Sequence, residues 1–112
     1  MTLIRRCAMT WVVLLVAGLF ETVWALALKE SHGFSKLEPT MVFLVSLIIS
    51  MVLLALALRN LPVGTGYAVW TGTGAVGAAM AGMIFFGESA ALSRVLPTGL
   101  IALGIVWLAL AE

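Results

Sequence analysis

Four long apolar runs, separated by short polar connections, account for almost the whole chain, at about 10–28, 39–58, 62–86 and 92–111. Each is close to the roughly 20 residues that cross a hydrocarbon core of ~30 Å. Inside lipid, a single segment satisfies its own backbone N–H and C=O groups only as a helix. The pattern therefore predicts an all-α membrane protein, a single transmembrane domain over residues 1–112 built from four helices. Links at 29–38, 59–61 and 87–91 are short enough to force each helix antiparallel to the next. An even number of spans returns both termini to one side. Pro39 and Pro62 open their helices, where a missing N–H costs no internal bond, and Pro97 falls in the first turns of the fourth.

Composition narrows the class. With 63% hydrophobic and 10% charged residues among 112, the chain is too apolar for a soluble domain, and four spans leave no room for one. The single cysteine, Cys7, excludes an internal disulfide and supplies no metal set; it reads as a small apolar filler. Arg5 and Arg6 before the first run, with Ala25-Leu26-Ala27 near its end, imitate a cleaved signal peptide, but Glu21 would break the apolar core of one. The arginine pair marks a membrane edge instead.

Charge changes the picture of orientation. Arg5, Arg6 and Arg59 lie on the side of the termini; Lys29, Lys36 and Arg94 lie on the other. Orientation is set by an imbalance of Lys and Arg in short loops, so a tie gives no instruction. The chain is expected to insert both ways, the alternative being a tie by chance.

The candidate chemistry centres on Glu21, about halfway through the first run. A central ionisable residue costs roughly 2.5–3.5 kcal/mol on insertion scales, so it reads as a functional group facing protein or a water-filled cavity. Gly18, Glu21, Trp24, Ala25 and Leu28 share one helical face. Small residues there admit a neighbouring helix, and Trp24 offers an indole N–H within reach of the carboxylate; its other reading is an interfacial aromatic. The third run is small and polar, with Tyr67, Trp70, Thr71 and Gly74 on one face, a set suited to a cavity between helices. Residues 72–77 spell G-x-G-x-x-G, but no strand precedes them, so a nucleotide fingerprint fails its context. Gly72 and Gly74 read instead as a kink that lets half the helix move, or as simple packing. Ser50, deep in the second run, would ordinarily bond its own backbone. His32 has no ligand partners, and Glu88, near Arg94, reads as an anchor at the membrane edge. No catalytic set, metal, cofactor or nucleic-acid partner is called for, and an enzyme is not expected. A lone carboxylate in a lipid-embedded cavity can hold a proton that a cation displaces, the minimum machinery for exchange. A second copy would couple two such titrations, and four short helices provide barely one wall of a cavity.

These residues resemble the small multidrug resistance family, and more closely its guanidinium-exporter branch. The likeness is carried by G-L-F-E-T-V-W-A-L-A-L-K (18–29), G-F-S-K-L-E-P (33–39), L-P-V-G-T-G-Y-A-V-W-T-G-T-G-A-V-G-A (61–78) and I-F-F-G-E (84–88). Drug-exporting relatives generally have a small residue where Trp24 stands. The resemblance implies an antiparallel, dual-topology homodimer in a bacterial-type inner membrane, alternating access, and two Glu21 carboxylates shared by protons and guanidinium. By matching position, Trp24 and Ser50 would hydrogen-bond around the carboxylates, Tyr67 and Trp70 would line the pocket, and Gly72 and Gly74 would form the third-helix kink. Gly104 matches part of a fourth-helix dimer motif whose earlier position is Pro97 here. Guanidinium, planar and cationic, matches a carboxylate in bidentate fashion. A broader quaternary-ammonium exporter stays open, and so does a non-transporting membrane subunit.

Overall fold

The computed structural model describes residues 2–111, with side chains from residue 8 onward, so the side chains of Arg5, Arg6 and Cys7 lie outside the described residues. Its elements are α1 (Thr2–Glu30), α2 (Leu37–Ala57), α3 (Val63–Phe85) and α4 (Leu92–Ala111). All four are long and apolar enough to span a bilayer, α1 from Ala8 onward. Pro62 caps α3, whereas Pro39 sits within the first turn of α2, where its N–H would have had no helical acceptor in any case. Pro97 lies inside α4 and removes one bond from its ladder.

Around a few buried large side chains, Leu14, Leu54, Val69 and Trp70, the helices bury mainly small and polar residues and turn most of their large apolar ones outward. Thr10, Leu14, Ala17 and Gly18 form the inward stripe of α1, and Ser46, Ser50, Leu54 and Ala57 that of α2. On α3 the buried positions include Thr65, Gly66, Trp70, Gly74 and Gly82, while Leu19, Ile48 and Leu100 are exposed. Lipid tails are as apolar as leucine, so burial of large side chains gives no drive; helices associate through close contact and hydrogen bonds.

Close contact has a visible basis between α1 and α3. A Cβ on Gly18 would stand 2.6 Å from Thr73 Cβ and 2.7 Å from its Cγ2. On the opposite side of α3, Gly72 admits Ile105 of α4, whose Cδ1 would lie 2.8 Å from an added Cβ. α1 packs on both α2 and α3, whereas α4 packs on α3 alone and buries no residue of its own. The result is a slab of 47 × 34 × 20 Å, about two helix diameters thick.

The connections fix the ends. Ser31 is fully buried; its hydroxyl donates to the Leu28 carbonyl at 2.7 Å and accepts the Phe34 N–H at 3.1 Å. Between them His32, Gly33 and Phe34 all take left-handed backbone, φ 46, 72 and 67. At the same end of the bundle Gly87, φ 64, turns the chain out of α3, and the Phe86 and Glu88 N–H groups both return to the Gly82 carbonyl. Glu88 then accepts from Arg94 at 3.0 Å and from Lys29 at 3.5 Å, tying the end of α1 to the α3–α4 loop. The Arg94 hydrogen bond is the main cause that holds its carboxyl below the usual carboxylate range, with Lys29 adding to it.

Replacing Gly18 by Ala is expected to lower stability in detergent unfolding by about 1–3 kcal/mol, because the added methyl overpacks the α1–α3 contact. Gly64→Ala, where a Cβ meets nothing within 4 Å, should leave the same unfolding curve unchanged or slightly raised.

Candidate functional site

The site is assembled where α1 leans on α3. A Cβ on Gly74 would run into the Glu21 carboxylate, so only glycine lets that side chain lie against the α3 backbone. One residue further, the Thr22 hydroxyl lies 3.3 Å from the Gly74 carbonyl and 3.5 Å from the Gly18 carbonyl, and a Cβ on Gly77 would collide with it. Gly18 with Thr73, Glu21 with Gly74 and Thr22 with Gly77 thus form one continuous seam. On this seam Glu21 Oε2 is buried without a hydrogen-bond partner among the described residues, and so, one turn further along α1, is Trp24 Nε1. Buried polar atoms are paired almost everywhere in folded proteins, and those that are not call for a functional explanation.

Beneath the carboxylate three helices meet in a hydrogen-bond chain. Trp70 Nε1 of α3 donates to Ser50 Oγ of α2 at 2.8 Å, and Ser50 Oγ donates to the Ala17 carbonyl of α1 at 2.7 Å. In an α-helix the Ala17 carbonyl is also the acceptor for the Glu21 N–H. The chain therefore ends on the turn that carries Glu21. Ser46 follows the ordinary habit of a serine in a membrane helix, donating back to Val42 at 2.6 Å; Ser50 departs from it.

Gly18, Glu21, Ser50, Trp70 and Gly74 come together at this junction. The hydroxyl of Ser50 is engaged by Trp70 and the α1 backbone, not by the Glu21 carboxylate, and Trp70 is 6% exposed, a core residue of the protomer. Trp24 meets Phe43 of α2 edge to face, centroids 5.9 Å apart at 80°. Tyr67, 53% exposed, packs on the outside of Trp70 at 5.4 Å. α3 runs as one helix through Gly72 and Gly74, and the two glycines admit neighbours on opposite sides, Ile105 and Glu21. Gly104 faces open space. No group of His, Cys, Asp and Glu among the described residues is disposed to hold a metal. Sequence reasoning missed Thr22 and Phe43. Thr22 had a signal, standing beside Glu21 and four residues after Gly18; Phe43 had none, since its ring is one of several apolar side chains in α2.

The profile of the Small Multidrug Resistance protein family matches residues 9–101. The chain belongs to the small multidrug resistance family. It is accordingly a multi-pass inner-membrane protein. Among small multidrug resistance relatives, a protein of Yersinia pseudotuberculosis named guanidinium exporter is 54% identical over 104 residues, covering 93% of this chain and 100% of its own. Proteins of the same name from Salmonella typhimurium and Citrobacter freundii are each 53% identical over 103 residues, 92% of this chain and 98% of theirs.

Ser50→Ala should cost about 1–3 kcal/mol in detergent unfolding, since it leaves the Trp70 N–H buried and unpaired. Combined with Trp70→Phe, the loss should fall short of the sum of the two single losses, the signature of a shared hydrogen bond.

Proposed function

We propose that this chain is a proton-coupled secondary antiporter that exports guanidinium, working as an antiparallel, dual-topology homodimer. The observation that carries the reading is the pair of buried atoms without partners among the described residues, Glu21 Oε2 and Trp24 Nε1, on a chain 53–54% identical over the matched residues to relatives named guanidinium exporter. Its work is carriage and not covalent chemistry. Guanidinium offers parallel N–H donors to a carboxylate, and each proton bound at Glu21 removes the charge that would hold the cation. Proton and substrate thus compete for one group, and competition at a site reached alternately from either side is sufficient for exchange.

The shape of the protomer supports the dimer reading. A slab 20 Å thick presents Glu21 on one wall, and α4 buries none of its residues within the chain. A second copy supplies the opposite wall and a second Glu21. The three-to-three balance of Lys and Arg across the two sides favours a partner inserted in the opposite sense. For substituted guanidinium ions, a short tail would slip between helices toward lipid.

In liposomes holding the purified protein, a guanidinium gradient is expected to drive a change of internal pH, and Glu21→Gln to abolish it. Proton movement that persists in Glu21→Gln would overturn the mechanism. Reporters fused to the C-terminus should give signal on both sides of the membrane; signal on one side alone removes the antiparallel dimer.

A further inference from the structure

Trp24 stands one turn beyond Glu21 on α1, and no hydrogen bond among the described residues holds its indole, whose Nε1 is buried and unpartnered. What it touches is Phe43, edge to face at 5.9 Å, and Phe43 in turn meets Phe34 at 5.4 Å. Phe34 reaches that position only because its backbone is left-handed, φ 67, a conformation that a bulky side chain seldom takes unless its surroundings impose it. The imposing element is Ser31, fully buried, whose hydroxyl bridges the Leu28 carbonyl and the Phe34 N–H and whose carbonyl accepts the N–H groups of Ser35 and Lys36 at 2.9 and 3.1 Å. A loop turn, a loop ring, a ring of α2 and the site indole therefore form one connected stack.

We infer that Phe43, backed by Phe34, is a positioning residue that sets the angle of the Trp24 indole and through it the selectivity of the site for small planar cations. This rests on the reading of the Glu21 site as a cation pocket. The physical reason is geometric. Edge-to-face pairs prefer a narrow range of mutual angles, so a perpendicular phenyl ring limits rotation of the indole where an aliphatic side chain of similar size does not. An indole held upright keeps its N–H inward and narrows the space beside the carboxylate. A freed indole swings aside, loses the N–H contact to a small cation and admits a wider one.

Two measurements test this, on the full chain. In proteoliposomes, Phe43→Leu is expected to lower the preference for guanidinium over tetramethylammonium by about fivefold or more, Phe43→Tyr to retain it, and Phe43→Leu to have no further effect on selectivity in a Trp24→Phe background. A loss that persists in that background marks a general packing effect and overturns the assignment. The second measurement needs no substrate: the fluorescence difference between the chain and Trp24→Phe isolates the Trp24 signal, and Phe43→Leu should make that signal about twofold more quenchable by acrylamide, with Phe34→Leu smaller in the same direction. Unchanged quenching overturns the positioning role whatever the substrate. Altered quenching in Phe43→Leu, alongside a wild-type chain that moves no guanidinium, would leave the positioning of the indole standing and remove the selectivity half of the inference together with the transport reading.

Discussion

A carboxylate held among helices that have no hydrophobic reason to associate is the constraint on which this structure turns. Lipid removes the force that assembles soluble cores, so the helices must be drawn together by contacts that lipid cannot imitate. Glycine gives the chain one such contact, bringing the α1 and α3 backbones close at Gly18, Gly74 and Gly77. The other is the Trp70–Ser50–Ala17 hydrogen-bond chain, which no lipid tail can replace. Both converge on the same turn of α1, so the devices that hold the protomer together are also those that place Glu21.

The economy of this arrangement explains why the site residues sort into distinct duties. Ser50 and Trp70 are spent on one another and on the α1 backbone, which leaves Glu21 Oε2 and Trp24 Nε1 as the polar atoms without partners among the described residues. Tyr67 stands outside that junction, half exposed, its ring edge-on to Trp70. Thr22 takes a structural part that its position beside the carboxylate does not advertise, pointing to the backbone of α3. At the membrane edge, Glu88 joins the end of α1 to the start of α4 through Lys29 and Arg94, while the Lys29 ammonium also lies 4.8 Å from the centre of the Phe86 ring.

Much of this is legible in the sequence, and for physical reasons. A bilayer imposes length, so runs of about 20 apolar residues announce spans directly. It also makes polar groups expensive, so Glu21 and Ser50 stand out against their surroundings. The glycines of α3 are visible as a group in the sequence, with two uses open, a kink and packing; the packing is seen in Ile105 against Gly72 and the carboxylate against Gly74. The partner of Ser50 was beyond reach, because a serine hydroxyl has acceptors on its own helix and only the distance between helices decides that it takes one from another.

Sequence alone determined the membrane class, the four helices, the balanced loop charges, the family likeness and the identity of the one carboxylate that lipid should not contain. Each of these is a property of composition or spacing, which the bilayer reads locally. Tertiary structure decided which faces meet: that Glu21 lies on Gly74, that Ser50 closes a three-helix junction, and that Trp24 turns to Phe43 under a strained Phe34. Those facts depend on the rotation and separation of neighbouring helices. Apolar faces of similar hydropathy leave both unspecified until small residues and hydrogen bonds select one arrangement.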